Sequence, residues 1–363
     1  MEQARVSEKG LFCRFYVDPT WRLNGQHIPI LYPFWGNPLT DKTPYYKELF
    51  DHQSFDTDYY AITEDIDQAD AILLPYRLDA VLKENPKLLE KCKEISLRTQ
   101  KPLLIDGTGD IEKKISDIPK MLVLRYGGYR SSKRKNELTI PLYADDLLER
   151  FCGGNVSLRQ KSTPPIVGFA GWTAIPRSTY LKALLKEIPN RLSALFDQKY
   201  TARSKGIFFR KKALDALRKS NRVAINVLER TSYSGHQKTI SGDPKELRNQ
   251  FVTNLIESDY GLDVRGDANN TIRLGEILSL GRIPVVIDTE RNLPFFEELD
   301  YSKFALIIDF RDIPKIGEKI AAFHDSLTNE QFTEMQKSAR NAYMTYFHIH
   351  TLTPRIIKKL LQK

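Results

Sequence analysis

FVTNLIESDYGLDVRGDANNTIRLGEILSLGRIPVVIDTERNLPFFEELDYSKFALIIDFRDIP, residues Phe251 to Pro314, reads as helix, loop, helix, strand, loop and strand. Phe251 to Ser258 has the spacing of a short amphipathic helix. Gly261 to Asn270, with Gly261, Gly266 and a pair of asparagines, reads as a loop. From Thr271 to Leu280 apolar residues fall at Ile272, Leu274, Ile277, Leu278 and Leu280, a helical spacing. Asn269 and Asn270 stand where an N-cap is expected, and Gly281 stands at the stop. Ile283 to Ile287 is a short apolar run with β-branched residues, as expected of a buried strand, and Phe304 to Ile308 is another.

Arg273 and Glu276 are three residues apart and share one helix face. A glycine-containing loop that runs into a helix N-terminus suits an anion, because free N–H groups and the helix dipole point outward. Arg265 adds a full positive charge in that loop. Glu276, one turn deeper, offers two acceptor oxygens to a ribose diol. The competing reading is an exposed Arg–Glu pair worth a few tenths of a kcal/mol.

The order Ser258, Gly261, Arg265-Gly266-Asp267, Asn270-x-x-Arg273-x-x-Glu276, Gly281 to Ile287, Leu293-Pro294-Phe295 and Asp312-Ile313-Pro314 resembles the exostosin family of glycosyltransferases. In that family the block is the donor-binding half of a glycosyltransferase-B fold. The family often has Pro at the place of Arg265 and Ser at that of Asn270. The small residue before the glutamate is kept, as Gly275. The resemblance implies donor-binding roles for Gly171, Arg177, Arg265, Asn270, Thr271, Arg273 and Glu276.

A chain of 363 residues is long for one core and suits two domains. An apolar share of 41% is ordinary for a globular protein, and no apolar run reaches the ~20 residues of a membrane span. Met1 to Gly10 is polar, unlike a signal peptide. These features place the protein in the cytoplasm or on the periphery of a membrane. Cys13, Cys92 and Cys152 are distant and odd in number, which fits a reducing compartment and no zinc site. The net charge of +9 admits nucleic acid, anionic lipid or an anionic sugar. Its Lys and Arg read as scattered over a solvated face, and no nucleic-acid module is recognisable.

Earlier in the chain, Gly10 to Val17 and Pro29 to Phe34 are candidate strands, Asp51 to Tyr60 reads as loop, and Asp79 to Arg98 as one helix. Asp65-Ile66-Asp67 has the form of a manganese-binding pair, but it precedes a strand where such a pair should follow one. Pro102 to Asp110 reads as a strand and tight loop offering two carboxylates, Asp106 and Asp110. Arg125 to Lys135 carries five basic residues, suited to an anionic acceptor or to a mobile surface loop. Phe151 to Pro165 reads as the linker. Ile166 to Trp172 opens the second α/β unit, and Arg177 follows at a helix start. His236 and Lys238 lie in a polar loop. Asn329 to Phe347 reads as a long helix, and Thr353-Pro354 as the start of a last one.

The expected fold is α/β: two doubly wound Rossmann-like domains facing a cleft, of glycosyltransferase-B type. Residues 1–155 would bind the acceptor and 156–347 the nucleotide sugar, with 348–363 returning to the first domain. The resemblance implies an inverting transfer from a nucleotide-sugar donor, UDP-linked, to a glycan acceptor. Arginines would replace the metal ion, so no cofactor is expected, and Asp106 or Asp110 would be the base. A GDP-dependent fucosyltransferase-like enzyme and a non-catalytic exostosin-like subunit are the alternatives.

Overall fold

The structure, a computed structural model, describes residues 11–109, 113–173, 177–231, 242–266 and 268–363. Contacts between Cα atoms divide the chain into two compact units. The first comprises Met1–Tyr126, Lys133–Ile140 and Tyr346–Lys363. The second comprises Gly127–Ser132 and Pro141–Thr345.

The first unit holds a parallel sheet of β1 (Cys13–Tyr16), β2 (Tyr60–Thr63), β3 (Ala71–Leu73), β4 (Leu103–Asp106), β5 (Met121–Arg125) and β6 (Glu137–Thr139), in the order β2-β1-β3-β4-β5-β6. β4 and β5 are buried along their whole length, as strands covered by helices on both faces must be. Pro29 to Phe34 is not a strand. It forms helical turns, Pro29–Leu31 and Tyr32–Trp35. Two prolines without N–H groups cannot serve a ladder. The end of the expected Asp51–Tyr60 loop is instead the start of β2. The single helix expected from Asp79 to Arg98 is two, Leu78–Glu84 and Pro86–Thr99. Pro86 keeps Asn85 out of the helical region (ψ 78) and so ends the first.

The second unit holds a parallel sheet of β7 (Ile166–Trp172), β8 (Ala224–Arg230), β9 (Tyr260–Asp263), β10 (Ile283–Asp288) and β11 (Leu306–Asp309), in the order β11-β10-β9-β7-β8. Numbered from the first strand of each unit, both sheets begin 2-1-3-4-5, a doubly wound order. Alternation along β7 shows the two layers. Val167 and Phe169 join a core with Phe209, Leu262, Val285 and Phe332. Ala170 joins Phe251, Leu255, Ile277 and Leu280 on the other face.

The stretch Phe151 to Pro165, read as a linker, belongs to the second unit, and its first two residues end the helix Leu147–Cys152. Asp259 is fully buried and draws it in, accepting from Arg159 Nε (3.1 Å), Ser162 Oγ (3.2 Å) and Ile166 N (2.8 Å). A buried carboxylate needs such partners. At the far end, the helix Asn329–Ala342 starts at a capping box on Thr328 and passes into a π-helical turn, Tyr343–Phe347. The last helix, Ile349–Leu361, begins before Thr353-Pro354 rather than at it. Thr353 is not its cap; its Oγ1 accepts from Asp56 N (2.9 Å), within the first unit.

Candidate functional site

In a 2-1-3-4-5 sheet, neighbouring connections leave in opposite directions between strands 1 and 3, and ligands bind at the carboxyl ends there. In the second unit those strands are β7 and β9. The expected loop Gly261–Asn270 is shorter than its sequence suggests, because Tyr260–Asp263 is β9 and the chain leaves the sheet only at Val264. The helix that follows, Arg273–Ser279, has seven residues, all buried. Neither asparagine caps it. Asn269 Nδ2 donates to Gly128 O (3.1 Å) and Thr289 O (3.0 Å), and Thr289 Oγ1 donates back to its Oδ1 (2.6 Å). The hydroxyl of Thr271 accepts from Arg273 N (3.0 Å) in their place. Asn270 contributes its carbonyl, which accepts from Gly266 N (3.2 Å).

Arg273 is 9% exposed. Its Nη2 donates to Ala170 O of β7 (2.8 Å), and its guanidinium lies 4.4 Å from the centre of the Phe169 ring. Nε and Nη1 have no hydrogen-bond partner among the described residues. Burial pulls its pKa down, and Glu276 and Asp263 oppose that. Gly171 makes room for it: a Cβ there would meet Arg273 Nη2 at 2.6 Å.

Glu276 is also buried, but its partner is not Arg273. Its Oε1 accepts from Arg248 Nη1 (2.5 Å), from the helix Pro244–Ile256. The helix-face pair expected from spacing is therefore replaced by a tertiary one. Arg230, at the end of β8, completes the group. Its Nη2 donates to Leu247 O (2.6 Å). Its pKa is lowered by burial, then by the charges of Arg273 and Arg248, with Glu276 opposing. Three guanidinium groups thus share one carboxylate within electrostatic range. Asp145 and Arg150, an ion pair, adjoin them and cancel one another; burial raises the Asp145 carboxyl, while Arg150 and Arg248 hold it down. The cluster keeps an excess of two positive charges, and desolvated N–H donors remain open in it. Such an arrangement can hold a diphosphate.

Arg230 and Arg248 were missed in the sequence. Arg248 had left a signal: it lies three residues before Phe251 and seven before Leu255, in the apolar stripe of its helix.

Arg265 takes a different post. It is buried, and its Nη1 donates to Tyr129 Oη (2.6 Å) and Ala202 O (3.0 Å). It ties the loop to neighbouring chain, where the sequence suggested an open cation. Gly206 packs against the same loop, since a Cβ there would meet Gly266 O at 2.0 Å. Arg177 begins the helix Arg177–Ala194, but its side chain lies outside the described residues. So do Asp110, Asp267, His236 and Lys238.

Asp106 ends β4 in the first unit and is buried. Its Oδ1 accepts from Thr108 N (2.9 Å) and Thr108 Oγ1 (2.5 Å). Burial raises its pKa, while Thr108 and Arg77 pull it back. Asp65 and Asp67 form a turn, with Asp67 N donating to Asp65 Oδ1 (2.9 Å). Among the described residues no cluster of His, Cys, Asp or Glu could hold a metal ion. The basic stretch Arg125–Lys135 is not a free loop. Arg125 is buried against Glu137 (3.0 Å), and Arg130 grips both oxygens of Asp288 (3.0 Å each).

Residues 171–323 match the family model described as the Exostosin GT47 domain. The matched residues lie within the second unit. The match begins at Gly171, beneath Arg273, and includes Arg230, Arg248 and Glu276. Exostosin-1 homolog of Caenorhabditis elegans is 29% identical over 110 residues, 30% of this chain and 28% of that protein. The chain therefore aligns with little more than a quarter of that relative's length. Among solved structures, a glycosyltransferase from Rickettsia africae ESF-5 is similar with a TM-score of 0.37 and 12% identity, covering 82% of this chain and 78% of that one. Anabaena Alr3699/HepE in complex with UDP-glucose gives a TM-score of 0.32 and 10% identity, covering 81% and 79%.

Proposed function

We propose that this protein is an inverting glycosyltransferase that moves a sugar from a UDP-linked donor to a glycan acceptor without a metal ion. The observation that carries the reading is Arg273: a desolvated guanidinium with two nitrogens, Nε and Nη1, that have no hydrogen-bond partner among the described residues, in a cluster with excess positive charge. In this reading Arg273 and its neighbours Arg230 and Arg248 take the donor diphosphate. Glu276 turns its second oxygen to the ribose diol, and Arg177 remains a further candidate for the phosphates. The UDP-linked donor follows the exostosin family.

The transfer is one displacement. The acceptor hydroxyl oxygen forms a bond to the anomeric carbon as the bond from that carbon to the diphosphate oxygen breaks. The electron pair leaves on the diphosphate, where fixed guanidinium groups stabilise it. The acceptor proton passes to a carboxylate, which we assign to Asp106. Guanidinium groups do the work of a divalent cation, so turnover of UDP-sugar, followed by UDP release, should persist in excess chelator. Full loss in chelator, restored by manganese, would overturn metal independence. No UDP release from any of a panel of UDP-sugars, with no titratable UDP binding, would overturn the function itself.

Asp106 allows a separate test. Its raised pKa means that the neutral form is favoured in the fold. It therefore contributes stability below its unfolded pKa and loses it as pH rises through the folded value. Asp106→Asn should thus melt no lower than wild type at neutral pH. A base must be deprotonated, so wild-type transfer should fail on acidification at a pH above the usual carboxylate range of about 4. Asp106→Asn should cut transfer by about a hundredfold or more and leave UDP binding intact. Full activity in the variant would remove Asp106 from the reaction.

A further inference from the structure

We propose that the helix Arg177–Ala194 and the two residues after it bind the surface of an anionic lipid bilayer. Leu181, Leu185, Ile188, Leu192, Leu195 and Phe196 are 61, 65, 46, 57, 79 and 93% exposed. The first five are spaced four, three, four and three residues apart. At 100° per residue they fall within an arc of about 80°. The opposite requirement, burial, is met elsewhere on the helix: Leu184 packs on Ile207 and Phe208, and buried Glu187 accepts from Lys205 N (3.1 Å). The exposed stripe is therefore surplus to the fold. A run of five large aliphatic side chains and a phenylalanine along about 21 Å is far from the scatter of single apolar residues on ordinary surfaces.

Charge identifies the occupant. Residues 177–219 contain twelve Lys and Arg and three Asp and Glu, a net +9. That equals the net charge of the whole chain, so everything outside this segment sums to zero. The excess read from the sequence as scattered is concentrated in the segment of chain that contains the apolar stripe. Lys186, Lys211, Lys212 and Lys219 are among its exposed cations. An apolar stripe within a Lys- and Arg-rich segment suits a helix that lies in the headgroup boundary of an anionic leaflet. A second copy of the chain would bring another +9 against the first, which opposes self-association through this face. Among the described residues no helix is long and apolar enough to cross a membrane, so the contact is one of lying on the surface.

The test is co-sedimentation with vesicles of phosphatidylcholine alone and of phosphatidylcholine with about 30 mol % phosphatidylglycerol. Wild type should pellet with the anionic vesicles only, and less as salt is raised. Leu185→Glu with Leu192→Glu should keep the wild-type melting temperature, because both sites are exposed, and lose at least about tenfold in vesicle partition. Leu185→Ser with Leu192→Ser serves if the charged pair does not fold. Lys186→Glu should weaken binding to anionic vesicles and leave the apolar stripe intact. Wild type that stays in the supernatant, or undiminished binding in the folded double variant, overturns the proposal. So does a wild-type dimer that the double variant dissociates without any vesicle binding, which would make a second copy the occupant.

Discussion

Arg273→Lys will lose at least about a hundredfold in affinity for UDP while remaining folded. Lysine keeps the positive charge and can still donate to Ala170 O, so that carbonyl is not orphaned. It lacks the planar fork that presents Nε and Nη1 in fixed directions, and it lacks the flat face that lies on Phe169. Those two N–H groups are already desolvated, so bonds to a phosphate form without further loss of water at the arginine. Each charge-assisted bond lost costs about 1.5–3 kcal/mol, and two of them exceed a hundredfold. Calorimetric titration separates this from a general disturbance of the site. Uridine, which carries no phosphate, should bind wild type and variant within a few-fold of each other. A folded Arg273→Lys protein with unchanged UDP affinity would refute the diphosphate assignment.

The same residue shows what could be read before folding. Spacing alone placed Arg273 and Glu276 on one helix face, and both do lie on the helix Arg273–Ser279. Spacing also suggested that they pair with one another, and they do not. A pair three apart on a buried two-turn helix points into tertiary structure, so its partners come from other elements. Glu276 meets Arg248 of the preceding helix, and Arg273 meets the carbonyl of β7. Those contacts depend on strand order, which puts β7 between β9 and β8. No local pattern encodes that order.

Strands followed the same division. Ile166–Trp172 and Ile283–Asp288 were legible because central parallel strands are apolar on both faces. β2 was not, because an edge strand with three of its four residues half-exposed, after an Asp-rich stretch, has no such run. The prolines at 29 and 33 were the overlooked evidence against a strand there. Net charge misled in another way. A total says nothing of position, and only its count along the chain, set beside the exposed leucines after Leu181, gave it a meaning.

Glu276→Ala is expected to cost about 3 kcal/mol or more of stability in the absence of ligand, by urea denaturation at neutral pH. An exposed helix pair would give a few tenths. The difference comes from where the charges sit. The Glu276 side chain is 5% exposed and that of Arg248 is 19% exposed. Removing the carboxylate leaves Arg230, Arg248 and Arg273 without their shared counter-charge, and the electrostatic repulsion among them is unrelieved. Glu276→Gln keeps a hydrogen-bond acceptor for Arg248 but not the charge, so it should fall between wild type and alanine. A second reading distinguishes this cause from lost packing. Pyrophosphate can supply the missing negative charge, so it should raise the melting temperature of Glu276→Ala more than that of wild type. A cavity would gain nothing from an anion. UDP should stabilise the variant through its phosphates yet bind less tightly than it binds wild type, because the ribose contact proposed for Glu276 is gone. Glu276→Ala within a few tenths of a kcal/mol of wild type would mean that the carboxylate does not hold the three arginines together.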